Sequence, residues 1–316
     1  MMFSQTGGNM KTLVSASGRV KRTARWKRLL GKAALLAGLT LVPLYFGLTF
    51  YQNLRIKAAE KICEANSVSD LEQRVRENID GTLLKEEGLI AFVSNRSGND
   101  EIYLMNYSGA NQKRLTFNTT FDGDPAISPD KKQIAYASCE NGNLDIFLMD
   151  LYGLVRQQIT TDASNEKNPE WSPCGTYLLF ETDRRKNWDI YKIDLIERNI
   201  SSFRDRDCSE NNPKISPNGL FVAYSESNEG RICNSKGHEA RYLGHDLFSP
   251  FWEKDSSFCN FTNDPNVIMV YTPLGDRIVF NKKVGGFWQI FIKNNQTGIE
   301  TQLTNTSSNN YMPDCR

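Results

Sequence analysis

Only two histidines, His238 and His245, are available for acid–base chemistry in 316 residues, and both fall in one irregular stretch, 230–250. A Ser–His–Asp relay would have to be built on one of them. A histidine in such a stretch is more commonly a surface residue, so no catalytic residue is assigned. There is no G-x-S-x-G elbow, no HExxH, no P-loop and no G-x-G-x-x-G after a strand. The sequence therefore offers no motif for acyl transfer, zinc hydrolysis or nucleotide binding. It implies no cofactor and no metal.

Three acids recur at one equivalent place, Glu101, Asp145 and Asp189, each opening a D/E-I-Y/F segment. Equivalent positions on a ring would line one face or offer oxygen ligands to a cation. The expected reading is local: each is a turn residue accepting nearby donors. Trp188 and Trp288 stand just before the same segment in two repeats. That place in a loop makes them candidate contact residues for a partner. Trp171, Trp252, Ile127, Ile215 and Tyr271 fall in apolar strands and are assigned to the core. Seven cysteines include no CxxC pair, which argues against a zinc knuckle or thioredoxin-type motif. An odd count leaves at least one thiol unpaired, and most are expected to be small buried residues.

The elements that position these residues come from a repeat. DPAISPDKKQIAY at 124–136, NPEWSPCGTYLLF at 168–180 and NPKISPNGLFVAY at 212–224 align without gaps, 44 residues apart. Nine residues after Phe92, Tyr136, Phe180 and Phe280 come EIYLMN, DIFLMD, DIYKID and QIFIKN. Leu115-Thr116, Ile159-Thr160 and Leu303-Thr304 close three of the units. Each unit reads as a short strand, a Ser-Pro turn, an apolar strand, a polar Asn/Gly/Asp loop, a strand of period two and a last strand ending in Ile/Leu-Thr. Four antiparallel strands in about 40–45 residues make one propeller blade. A single such sheet cannot bury both faces, so blades must stack around an axis.

The signature N/D-P-x-W/I-S-P-x-G, apolar strand, D/E-I-Y/F, L/I-T resembles the WD-like propeller repeat of the TolB family. The resemblance covers roughly residues 83–316. It implies an all-β fold, a β-propeller of four-stranded antiparallel blades, and a function in protein contacts at the cell envelope. The pattern breaks after residue 230. SPFWEKDSSFCNF at 249–261 and IMVYTPLGDRIVF at 268–280 both align, yet start only nineteen residues apart. Six blades with a degenerate fifth are favoured; five with an insertion is the alternative. Tyr311-Met312-Pro313 resembles an opening strand, so the C-terminal segment is expected to close the ring onto the first blade. Leu83 and Leu84 offer a competing closure.

Charge is segregated. Residues 1–61 carry eleven Lys/Arg against Glu60 alone, while 62–316 carry 27 basic and 36 acidic residues. An acidic domain has no electrostatic footprint for nucleic acid. Residues 33–51 are uncharged over nineteen positions, about the length of a membrane-spanning helix. Eight basic residues precede them and three follow closely. The positive-inside bias puts a cytoplasmic tail at 1–32, a transmembrane helix at 33–51, a helical connector at 52–82 and the propeller, 83–316, on the outer side. The alternative, a cleaved signal peptide, is disfavoured by the long basic region and the lack of a small-x-small site. Seven Asn-x-Ser/Thr sequons, at Asn95, Asn106, Asn118, Asn199, Asn260, Asn295 and Asn305, matter only in a glycosylating host.

Two functional classes follow. The first is a non-catalytic interaction module or accessory subunit, binding other membrane or envelope proteins and held to the membrane by its helix. The second is a hydrolase or lyase acting at the central pocket, which needs a histidine among convergent acids near the axis.

Overall fold

The 44-residue period turns into space as a repeating four-stranded sheet. The computed structural model describes residues 88–255, 259–264 and 266–316, all strand, turn and loop. Blade one contains β1 (Leu89–Ser94), β2 (Glu101–Asn106) and β3 (Lys113–Arg114). Blade two is β4 (Asp122–Ile127), β5 (Gln133–Ser138), β6 (Asp145–Asp150) and β7 (Arg156–Gln158). Blade three is β8 (Glu166–Trp171), β9 (Tyr177–Thr182), β10 (Asp189–Asp194) and β11 (Ile200–Arg204). Blade four is β12 (Glu210–Ile215), β13 (Phe221–Glu226), β14 (Glu229–Asn234) and β15 (Arg241–His245). A hairpin follows, β16 (Pro250–Trp252) and β17 (Cys259–Phe261). Blade five is β18 (Met269–Tyr271), β19 (Arg277–Val284), β20 (Phe287–Asn294) and β21 (Glu300–Gln302), and β22 (Asn310–Cys315) ends the series. Every pairing within these sheets is antiparallel.

Two expectations are decided here. The favoured six blades with a degenerate fifth are corrected to five four-stranded blades, with a two-stranded hairpin between blades four and five. Nineteen residues between motif starts suffice for two short strands and a turn, and no outer pair can form. The C-terminal closure holds: β22 pairs with β1, giving the order β22-β1-β2-β3. Leu83 and Leu84, the anchor at 33–51 and the connector at 52–82 lie outside the described residues. Among the described residues no helix is long and apolar enough to cross a membrane.

The opening strands touch in turn, β22 to β4, β8, β12, β16, β18 and back to β22. Each four-stranded blade packs both faces, as period-two side chains require. Leu89, Ala91 and Val93 of β1 pack with Ile127, Ile134 and Tyr136 of blade two. The alternate residues Ile90 and Phe92 pack with Val279, Ile290 and Cys315 on the blade-five side. Trp171, Leu178 and Phe180 meet Ala135, Ala137 and Leu148 of blade two, while Leu179 and Ile190 meet Val222 and Tyr224 of blade four. A one-residue slip would put polar atoms into these contacts, so the register is fixed by burial.

Opening strands share a kink that the motif encodes. Asp124, Asn168, Asn212 and Met312 each precede proline and have φ between 48° and 53°. The register against the second strand shifts at the same place. Proline has no N–H to lose, so it suits a bulge where one residue is unpaired. Asp and Asn tolerate the left-handed conformation better than other side chains. Met312 adopts it without that advantage.

Candidate functional site

Turns 2–3 of each blade and the links from one blade to the next lie at one end of the ring, because successive strands are antiparallel. The recurring acids are buried there, each inside its own blade. Glu101 Oε1 accepts from Arg114 Nη2 at 2.6 Å and Asn99 Nδ2 at 2.9 Å. Asp145 Oδ2 accepts from Gln158 Nε2 at 3.0 Å. Asp189 Oδ1 accepts from Asn187 Nδ2 at 2.9 Å. Burial is the largest influence on all three carboxyls and pushes each above the usual range. Their donors come from the same blade, so the structure does not bring the three together on one ligand. Thr116 and Thr160, the Leu/Ile-Thr residues, accept the backbone N–H of Ile102 and Ile146. This ties the fourth-strand ending to the third strand in blades one and two, and Thr304 does the same for Ile290 in blade five.

Trp188 and Trp288 are both half-buried at that end, in blades three and five. Lys167 Nζ stands 4.0 Å from the Trp188 ring centroid, a cation–π contact. Trp288 is tied to the residue that precedes the closing strand, its backbone N–H donating to Asn309 Oδ1 at 3.0 Å. It stands not in a loop, as expected, but inside β20, opposite Lys283 in the β19–β20 hairpin, whose tip presents Val284 and Phe287 to solvent. The histidines are exposed. His245 Nδ1 lies 3.3 Å from Glu229 Oε1, and neither imidazole bonds to a hydroxyl or thiol among the described residues.

One concave feature at this end is a recess of about 400 Å³ between blades three and four. Lys167, Asn168, Asn211, Asn212, Ser227 and Asn228 contribute to its lining. Its floor is Glu181, whose side chain is fully buried. Glu181 Oε1 accepts from Asn212 N at 2.6 Å and Asn168 Nδ2 at 2.5 Å. Lys167 Nζ lies 3.4 Å from the other oxygen. Burial pushes the Glu181 carboxyl up, opposed first by Lys167. Asn168 Nδ2 also reaches Asn212 Oδ1 at 3.3 Å, linking two residues 44 positions apart. Sequence reasoning passed over these residues. Their signal was the N/D before the motif proline, which the sequence reading used only as part of the repeat signature.

With the geometry in view, comparison with known proteins gives a consistent result. The TolB β-propeller domain family matches residues 119–241. The Tol-Pal system protein TolB of Geobacter sulfurreducens is 52% identical over 46 residues, which is 15% of this chain and 11% of that protein. The chain thus matches only a small part of that relative's length. A crystal structure of a nidogen/laminin complex superposes with TM-score 0.58 at 9% identity, covering 72% of this chain and 98% of that one, a likeness of fold alone. TolB from Acinetobacter baumannii gives TM-score 0.46 at 22% identity, over 70% of this chain and 53% of that one. The repeat, the strand order and the family match agree: the chain carries a TolB-like β-propeller.

Proposed function

We propose that the chain is a non-catalytic interaction ring held on the outer side of a membrane, where it binds an extended segment of an envelope protein. The observation that carries this reading is the chemistry of the recess between blades three and four. It offers amides and hydroxyls around a buried carboxylate and a lysine. Asn side chains donate and accept at once, matching the alternating N–H and C=O groups of a peptide backbone. The histidines needed by a hydrolase or lyase are exposed and do not contribute to the recess lining. The basic tail and the uncharged run at 33–51 support the placement. The name of the Geobacter relative, a protein of the Tol-Pal system, supports an envelope partner.

The test is a photo-crosslinking amino acid at Ser227 of the full chain in its own membranes. A single crosslinked envelope protein is expected, lost in Asn211→Arg at unchanged melting temperature. The absence of any discrete crosslink from Ser227, Asn211 and Asn228 would overturn the reading. Placement is tested separately by a reporter fused after Arg316, expected to be active only in an export-dependent form.

A further inference from the structure

Blade four carries a ligand set that its neighbours lack. Cys208, Glu210 and Glu226 each place a ligand atom within 4.8 Å of the others. The same three positions, 44 residues earlier, are Ser164, Glu166 and Thr182, and 44 earlier again Thr120, Asp122 and Ser138. In blade three the set is held by hydrogen bonds. Glu166 Oε1 accepts from Ser164 Oγ at 3.0 Å, from Thr182 Oγ1 at 3.1 Å and from Arg184 Nη2 at 3.1 Å. In blade two Asn118 Nδ2 donates to Asp122 at 2.7 Å. In blade four both hydroxyls are gone, replaced by a thiol and a second carboxylate, and Asn228 stands where Arg184 stood.

Glu210 is 0% exposed, and neither of its carboxylate oxygens accepts a well-formed hydrogen bond, the backbone N–H of Arg206 acting on the carboxyl only weakly. A fully buried acid so short of donors is costly unless something else satisfies it. Arg204, replacing the threonine of the other units, lies 3.8 Å from Glu210 and from Glu226, beyond hydrogen-bond reach. Its Nη1 is committed to Gly237 O at 2.8 Å. Arg231 also approaches Glu226, at 3.6 Å, and is engaged by Glu229 at 2.6 Å. One arginine thus faces two carboxylates and a thiol.

We propose that Cys208, Glu210 and Glu226 bind a divalent cation of the zinc type. Thiolate with carboxylate oxygen suits a borderline-soft ion and excludes calcium and magnesium, which take oxygen alone. A tetrahedral zinc with one sulfur and one oxygen ligand separates them by about 3.5 Å. The Cys208 thiol donates to Glu226 Oε1 at 3.4 Å, which already sets the two atoms at that separation. On binding, the Cys208 S–H proton leaves to solvent and the sulfur–metal bond forms. Two carboxylates, one thiolate, Arg204 and the ion then sum to zero charge. Cys208 and Glu226 also line an open recess of about 530 Å³ with Asp205, Arg206 and Asp207. The fourth coordination position opens there, to water or an incoming ligand.

Cobalt(II) added to the purified full chain is the probe. Wild type is expected to develop a thiolate-to-cobalt charge-transfer band, removed by an equivalent of zinc, with about one proton released per ion bound. Cys208→Ser restores the blade-three residue and should fold, yet lose the band. Cys174→Ser, at an exposed thiol, should keep it. Glu210→Gln and Glu226→Thr should each weaken binding by more than about tenfold. A wild-type chain without the band, or a band that survives Cys208→Ser, overturns the proposal. Equal metal-free melting temperatures of wild type and Cys208→Ser exclude misfolding as the cause of a lost band.

Discussion

The thiol of Cys315 donates to the backbone carbonyl of Tyr271 at 3.4 Å, joining β22 to the opening strand of blade five. Trp171 Nε1 makes the matching bond to Ala126 O at 2.9 Å, and Trp252 Nε1 to Lys214 O at 2.8 Å. The last residue of one opening strand thus stitches to the opening strand before it. On the other side, Asp314 Oδ2 accepts from Ile127 N at 2.7 Å. The closing strand is bound to both neighbours.

Deleting residues 309–316 should therefore open the ring. It bares the edge of β1 and the apolar faces around Ile90 and Phe92, costing several kcal/mol at about 25 cal/mol per Å² of apolar area. The melting temperature of the truncated chain measures this, and an unchanged value would contradict closure by β22. In the intact protein Cys315 should react with thiol reagents far more slowly than Cys174, since it is fully buried and Cys174 exposed.

The indole stitch is separable from indole packing. Trp171→Phe keeps most of the apolar contact but leaves Ala126 O without this donor, which should cost about 1 kcal/mol. Trp171→Ala also opens a cavity between blades two and three and should cost about 3–5 kcal/mol. Chemical denaturation of both variants checks the ordering; a Trp171→Phe protein as stable as wild type would mean that the Nε1 bond contributes nothing.

The missing outer strands of the hairpin leave a local mark on blade five. Gly153 has φ of 72°, and a Cβ there would sit 2.3 Å from Leu115 O of the preceding blade. Gly298, in the corresponding turn of blade five, also has φ of 72° but faces open space. Gly298→Ala should cost only the left-handed conformation, about 1 kcal/mol. Gly153→Ala must also push two blades apart and should cost roughly 3 kcal/mol or more. Similar losses at the two sites would show that the hairpin covers blade five as a full blade would.

Glu181 gives a pH signature. Burial raises its carboxyl above the ordinary 4.5. In the window from about 4.5 upward to its folded value, the native state keeps a proton that the unfolded chain has lost. Stability then falls as pH rises through that window and levels off above it. Glu181→Gln should flatten this decline while keeping an acceptor for Asn212 N. Urea denaturation of both proteins from pH 4 to 8 tests it, and parallel curves would rule out a raised Glu181.

What the sequence determined by itself was the repeating unit. The motif proline, the Ser-Pro turn and the period-two strands specify a blade locally, and the 44-residue phase makes each blade equivalent to the next. The in-phase Tyr311-Met312-Pro313 even named the closing strand, because register is set by which side chains must be buried. Tertiary structure decided what depends on contacts between units. The number of four-stranded blades turned on whether nineteen residues could supply outer strands, which depends on chain length across a gap. Glu101, Asp145 and Asp189 looked like a shared ring, but their partners lie within single blades, and no pattern along the chain reports a hydrogen bond closed by folding. The recess at Glu181 and the cluster of Cys208, Glu210 and Glu226 are built from residues up to 81 positions apart in the first case and 18 in the second. Each residue looks unremarkable in its own loop. Only the pairing of β12 with β13 beside blade three brings them face to face.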